Sequence, residues 1–411
     1  MSQRTYHHTF ENGLTLLGEE MPWLESAAFA FLIRAGAVHD PANRLGLSNL
    51  TCDMLQRGSG ELSNREFVEA VERLGVDRSS SVSLSHSSYS GATLADNLLP
   101  TISHYADLLR RPQFPEDQLD ESRQVCFQEL RAIEDDLAHR TLERVRQLQY
   151  PAPWGRSVQG EVEHVEAISI DDVQQHFQSR YNPTNAILSV AGKINWSKLK
   201  DHVGELFADW APQPEFTVEE SAAASQQAHI QHESSQTHLA ISYPSVPYRH
   251  EDYYQARAAV GVLSDGMSSR LFTEVREKEG LCYTIYATIN TLRDRGCVIC
   301  YSATSTERAQ ETLDTALTEL KRMEHGVEES ELNRLKARIK SSLIMQQESS
   351  ASRSVAMAID WYHLGTIRSM QEVSDRVNGL SAKSISDYLM KNPPGDFKVA
   401  SLGAEPLEVS A

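Results

Sequence analysis

Two segments far apart in the chain share one order of features, and this repetition constrains the fold more than any other property of the sequence. Residues 169–192, SIDDVQQHFQSRYNPTNAILSVAG, read as a Ser-capped helix, a turn at Asn182-Pro183 and an apolar strand ended by Gly192. Residues 381–403, SAKSISDYLMKNPPGDFKVASLG, run through the same capped helix, Pro-bearing turn, alternating strand and closing glycine. A chain with such a repeat is built from two copies of one unit. Its 411 residues suit that organisation, because single cores rarely grow beyond about 250–300 residues. Between the copies, residues 211–236 (APQPEFTVEESAAASQQAHIQHESSQ) are polar, Pro-bearing and rich in Ala and Ser, the composition of a linker. The expected organisation is an N-terminal half over residues 1–210, this linker, and a C-terminal half over residues 237–411.

Both halves place strands first, then long amphipathic helices, then a returning strand. In the first half, strands are expected at residues 14–18 and 27–35, a helix at 45–57, one alternating strand at 80–94, and helices at 100–109 and 115–149. In the second, a strand at 238–243 and helices at 253–263 and 268–279 come first. Strands at 283–291 and 296–302 and helices at 306–325 and 328–364 follow. Strands segregated from helices, without regular βαβ alternation, imply an α+β fold in which each half is a mainly antiparallel sheet with helices packed on one face.

The 39 Lys+Arg stand against 57 Asp+Glu, a formal charge of -18 that repels phosphate backbones and anionic lipid headgroups. Nucleic acid and membrane are therefore not expected as partners. No run approaches the ~18 apolar residues of a membrane span, and the N-terminus lacks the basic and apolar stretches of a signal peptide, so a soluble, cytoplasmic protein is expected. Five scattered cysteines argue against a disulfide framework. Cys297 and Cys300 form a C-x-x-C, but positions three apart on a strand face opposite sides, so no metal or redox pair is expected there. The histidines, including the adjacent His7 and His8, show no ligand spacing, and the mixed charges of helices 307–324 and 328–345 read as solvated faces.

Several segments together resemble the pitrilysin/insulinase superfamily, in particular its mitochondrial-processing-peptidase-like branch. They are NGLTLL at 12–17, IRAGAVHDPANRLGLSNL at 33–50, MLQRGSG at 54–60, QELRAIEDD at 128–136, PWGRSVQG at 153–160 and DGMSSRLFTEVREKEGLCY at 265–283. The resemblance runs nearly end to end. It implies two homologous α+β halves per chain, two chains closing around a chamber, and proteolysis of unfolded peptides inside it.

The family's chemistry lies in an inverted H-x-x-E-H motif. Its i, i+3, i+4 spacing sets two zinc-binding imidazoles on one helix face, with Glu as general base for the metal-bound water. Here the resemblance places Asn49, Cys52 and Asp53 at those positions, so both histidines and the base are absent. The third ligand, a Glu on a later helix, maps onto Glu129 and is kept, whereas Ser122 replaces a supporting carboxylate. This chain is therefore expected to bind no metal, with zinc held by a partner subunit. Cys52, Asp53 and Glu129 are the donors from which a non-standard metal site would have to be made.

A second family motif is intact. The run R-E-K-E-G-L-C-Y aligns Arg276 and Tyr283 with the pair that, in family members, binds substrate backbone and stabilises the tetrahedral intermediate. A guanidinium and a phenol are both donors able to brace a developing oxyanion. The Gly-rich substrate loop of the mitochondrial enzyme's other subunit has no counterpart, since residues 263–267 read LSDGM. Residues 80–94, rich in hydroxyls, fall where active members pair an edge strand with the substrate backbone.

A chain with half an active site lost and half kept resembles the zinc-free subunit of a heterodimeric metalloendopeptidase, lending Arg276 and Tyr283 to a zinc-bearing homologue. The expected partners are that homologue, or a second copy of the chain, and a peptide substrate. The alternatives are a structural or peptide-holding pseudopeptidase, and a hydrolase using Cys52, Asp53 and Glu129.

Overall fold

The computed structural model describes residues 4–214, 216–221 and 225–409. The first sheet contains β1 (Arg4–Thr9), β2 (Thr15–Glu20), β3 (Ser26–Ile33), β4 (Asp77–Val82), β5 (Ser87–Leu94) and β6 (Ile187–Gly192), in the order β1-β2-β6-β3-β5-β4. Only β2 and β6 run parallel; the other neighbours are antiparallel. The second sheet contains β7 (Gln227–Gln231), β8 (Gln236–Ser245), β9 (Thr284–Thr291), β10 (Gly296–Ser305) and β11 (Lys398–Gly403), in the order β9-β10-β8-β11-β7. Its one parallel pair is β7 with β11.

Read from the parallel pair outward, β2-β6-β3-β5-β4 and β7-β11-β8-β10-β9 are the same topology. The internal repeat is thus realised strand for strand, with β1 an extra edge on the first sheet. The returning strands of the repeat, β6 and β11, are the second members of these two series. The fold is the α+β architecture of two duplicated halves.

Side chains alternate between two faces of each sheet, and both faces are buried. Leu14, Leu16, Phe29, Phe31 and Ile33 join the main core under the helices of the first unit. Leu17, Ile187 and Ala191 point the other way and pack with Met357 and Ala358. In the second unit Leu239, Ile241 and Tyr243 face the main core, while Ala240, Ile299 and Ala400 meet Val145 and Leu148. A strand apolar on both faces requires cover on both. The second face is covered in each case by one helix: Ser350–Leu364 over the first sheet and Leu137–Gln149 over the second.

Those covering helices come from distant stretches of chain. One compact unit comprises Met1–Ala132, Arg156–Glu219 and Met345–Ile367; the other comprises Ile133–Gly155, Glu220–Ile344 and Arg368–Ala411. The contiguous halves 1–210 and 237–411 thus each give one helix to the other's sheet. Within the first unit, Arg353 of the covering helix places Nε 3.0 Å from Glu19 Oε2 on β2, and both side chains are buried.

Several expected elements differ in the structure. Residues 115–149 and 328–364 do not form single helices. Asp136 caps Leu137–Gln149 by accepting from His139 N at 3.0 Å, and Ser349 caps Ser350–Leu364 by accepting from Ser352 N at 3.2 Å. Each polar cap starts a new helix at the point where the chain changes unit. Residues 80–94 form a hairpin, β4 and β5, turned at residues 83–86, where Ser83 Oγ bonds to His86 O at 3.1 Å. The stretch read as linker contains β7, an edge strand whose Ala228 and Ile230 are too few to stand out in a polar composition. Residues 215 and 222–224 of that stretch lie outside the described residues.

Candidate functional site

The helix Leu47–Leu55 follows a loop held at both ends by backbone packing. Gly46 adopts φ +94°, and a Cβ there would stand 2.7 Å from Gln159 O, while one on Gly160 would stand 2.2 Å from Leu45 O. The two glycines let the 45–46 and 159–160 backbones touch, which ties two segments remote in sequence. Asp40 closes the helix start: its carboxylate accepts from Gly46 N and Ser48 N, each at 2.9 Å, and its own carbonyl accepts from Arg156 at 2.8 Å. Burial raises the Asp40 pKa to about 6, against the opposing pull of those hydrogen bonds. Ser48 Oγ lies between Asp40 and His176 Nε2, 3.4 Å from the latter. Burial first, then the Arg180 charge, lowers the pKa of His176 to about 3.

On the face of this helix that aligns with the zinc motif, the polar groups bond to one another. Asn49 Nδ2 donates to Glu129 Oε2 at 2.7 Å and sits 3.8 Å from Cys126 Sγ. Asp53 Oδ2 accepts from Arg57 Nε at 2.8 Å and from Ser122 Oγ, so the serine that replaces a carboxylate serves as a donor. Cys52 is buried near Tyr89 and Ser80, and burial pushes its thiol up to about 11. Beneath it, the Tyr89 and Tyr181 hydroxyls share a 2.9 Å hydrogen bond.

Among the described residues no three His, Cys, Asp or Glu side chains are grouped to hold a metal ion. Cys52, Asp53 and Glu129 do not form such a group. A zinc ion does not fit the residues present, because the carboxylates are engaged by an amide, a guanidinium and a hydroxyl, and the thiol is held protonated. Arg57 and Cys126, which complete this cluster, carry no signal in a single sequence.

Arg276 and Tyr283 lie in the other compact unit. Residues 268–279, expected as an ordinary helix, contain a π-helical segment, Phe272–Lys278, with the wide bond Glu279 N to Glu274 O at 3.3 Å. Such segments recur at functional sites. Gly280 at φ +59° ends it. Arg308 caps the end by donating to Gly280 O at 2.7 Å and Glu279 O at 3.2 Å. Tyr283 N then joins the sheet through Ala303 O at 2.9 Å.

This frame leaves the two side chains outward. The Arg276 guanidinium rests over the Phe272 ring, 4.8 Å from its centroid, and makes no hydrogen bond or ion pair with a described residue. Tyr283 is 62% exposed, and its hydroxyl also has no partner among the described residues. Arg276 is close enough to act on the half-buried Cys282, whose pKa burial raises and which a hydrogen bond with Ser302, then the guanidinium charge, partly lowers again.

Cys297 belongs to the core on one face of β10 and Cys300 to the core on the other, as expected for strand positions three apart. All five cysteines are free. His7 and His8 lie in β1, His7 beside Trp361 and His8 against Phe10. No helix among the described residues is long and apolar enough to cross a membrane.

Comparison with known proteins agrees with this architecture. Residues 17–160 match the family described as Insulinase (Peptidase family M16), and residues 167–339 match the Peptidase M16 inactive domain. The uncharacterized zinc protease YmxG of Bacillus subtilis is 26% identical over 404 residues, covering 96% of this chain and 97% of its own. An uncharacterized zinc protease of Rickettsia felis is 24% identical over 377 residues, 91% and 92% of the two chains. Two solved structures share the fold at a TM-score of 0.90: a peptidase M16 inactive domain from Pseudomonas fluorescens, 19% identical and covering 100% and 99%, and a protease from Helicobacter pylori, 18% identical and covering 98% and 100%. With residues 17–160 and 167–339 matched in order to two domains of one family, the protein belongs to the insulinase family, peptidase family M16.

Proposed function

We propose that the chain is the zinc-free subunit of a two-chain metalloendopeptidase and supplies Arg276 and Tyr283 to peptide hydrolysis by a zinc-bearing homologue. The observation that carries this is an asymmetry. Polar groups at the zinc-motif positions are consumed by internal hydrogen bonds, while Arg276 and Tyr283 stand outward on a rigid turn with their donors unspent. Leaving a guanidinium and a phenol without protein partners on an ordered frame suits donors meant for an incoming group.

The metal and its activated water would belong to the partner. In this chain, Arg276 would donate to the substrate carbonyl and Tyr283 to the same oxygen as it becomes tetrahedral. Both bonds strengthen as negative charge develops, so they act on the transition state more than on bound peptide.

The test is reconstitution with the zinc-bearing homologue and cleavage of an unstructured peptide. Arg276→Ala and Tyr283→Phe should each lower kcat/KM by roughly 10²-fold without changing association of the two chains. Unchanged kcat/KM in both variants would refute the assignment.

A further inference from the structure

The chain between Arg276 and Tyr283 turns at its softest point. Gly280, at φ +59°, is the residue least restrained by its own sterics, and it stands between the two donors. The segment before it finishes as a helix does, with main-chain carbonyls that no later N–H of the helix reaches. Its amides are spent backwards: Glu279 N donates to Glu274 O at 3.3 Å and Leu281 N to Val275 O at 3.0 Å.

The three successive carbonyls of Glu279, Gly280 and Leu281 are taken instead by side chains from one corner, where β10 leads through Thr306–Arg308 into the Ala309–Lys321 helix. Arg308 Nη1 donates to Gly280 O at 2.7 Å and Nη2 to Glu279 O at 3.2 Å. Thr304 Oγ, on a fully buried side chain, donates to Leu281 O. Thr312, also fully buried, backs both: its hydroxyl donates to Arg308 O at 2.8 Å and lies 3.2 Å from Thr304 Oγ. Glu311 Oε2 stands farther off, 3.8 Å from Arg308 Nη2, so the guanidinium is committed first to the turn.

Burial does not call for this arrangement. Glu279 and Gly280 are exposed, and water could satisfy both carbonyls. The effect of the arrangement is to fix the backbone on which the two donors stand. Arg276 lies three residues before the first clamped carbonyl and Tyr283 two after the last. A guanidinium is a planar fork that holds two acceptors at a set separation, which an ammonium does not, and its charge also suits a helix C-terminus.

We infer that Arg308 and Thr304 are positioning residues for the Arg276/Tyr283 pair, clamping the carbonyls between them so that both donors meet one substrate oxygen. The inference rests on the peptidase reading above and narrows it. Two donors on either side of a glycine converge on one atom only while the turn is held, and an error of about 1 Å costs up to ~10²-fold in rate.

The experiment has two arms. In the full chain alone, amide hydrogen exchange at residues 279–283 should quicken at least ~10-fold in Arg308→Ala and in the near-isosteric Thr304→Val, with exchange in β8 unchanged. In the complex with the zinc-bearing homologue, both variants should lower kcat at least ~10-fold with KM changed less than ~2-fold, and Arg308→Lys should recover only part of the loss. Adding Arg308→Ala to Arg276→Ala/Tyr283→Phe should cost less than ~2-fold more, whereas a merely destabilising change would cost the same in either background. The proposal is overturned if exchange at 279–283 is unchanged in both variants, or if kcat holds in Arg308→Ala while Arg276→Ala lowers it. Silent Arg276→Ala and Tyr283→Phe instead overturn the peptidase reading, and with it the catalytic purpose of the clamp, while the exchange arm still reports the clamp itself. Thermal melting of Arg308→Ala close to that of the parent shows that both readings come from a folded chain.

Discussion

The Asn49 amide and the Glu129 carboxylate are joined directly at 2.7 Å, at positions that the family resemblance assigns to a zinc-binding histidine and glutamate. The bond links the Leu47–Leu55 helix to the Leu119–Asp135 helix. The amide nitrogen is a donor and offers no lone pair to a cation.

Metal dependence should follow from that replacement. Zinc at about 100 μM should shift the melting temperature of the chain by less than about 1 °C, and EDTA should have no effect. The triple variant Asn49→His/Cys52→Glu/Asp53→His, with Glu129 retained, should take up one zinc per chain and become EDTA-sensitive. Atomic absorption on the dialysed variant checks the first point and calorimetry the second.

The Glu19 and Arg353 pair should dominate the attachment of the Ser350–Leu364 helix. Removing one partner leaves a buried charge, so Arg353→Ala should destabilise the first unit by about 3–5 kcal/mol. Replacing both with leucine should cost much less, because no charge is left unpaired. Urea unfolding of the single and double variants, followed by hydrogen exchange in β2, distinguishes the two outcomes.

Acid stability is set by opposed groups around the helix start. His39 and His176, lowered to about 4 and about 3, stay neutral in the folded chain while their unfolded counterparts take up protons below about 6.5. Their stabilising contribution is complete above that pH and is lost as pH falls through the folded values. Asp40, raised to about 6, has the opposite sign: its contribution is present below its ordinary value near 3.8 and is lost as pH rises through about 6. Two histidines outweigh one aspartate, so these groups together should raise stability with pH between about 4 and 6.5. Asp40→Asn should steepen that rise and His176→Phe should flatten it, as measured by urea unfolding at a series of pH values.

Thiol reactivity should single out Cys282. Cys52, Cys126, Cys297 and Cys300 are buried, with pKa values pushed to about 11, 12, 11 and 12, whereas Cys282 is half-buried beside Arg276. At pH 8, Ellman's reagent should modify Cys282 at least ~10-fold faster than the others, and Cys282→Ser should remove the fast phase.

Much of this was legible from residue order. The helix-turn-strand repeat predicted two units, and the shared strand order of the two sheets follows from it. The opposite facing of Cys297 and Cys300 follows from strand alternation, and the family motifs located both Asn49 and Arg276. What escaped were features set by distant partners. β7 pairs with β11 across most of the second half, and a five-residue polar segment gives no local sign of that. The hairpin at Ser83–His86 was hidden because serines alternate smoothly through the turn.

Helix caps, strand periodicity and motif spacing are local properties, so the duplicated α+β plan, the absence of histidine at Asn49 and Asp53 and the presence of Arg276 and Tyr283 are legible along the chain. Tertiary packing sets which helix covers which sheet, that Asn49 bonds to Glu129, and that Arg180 and His39 meet at one cleft. Those outcomes depend on which buried surface and which polar group finds a partner far along the chain, and burial and hydrogen bonding are settled in space rather than along the chain.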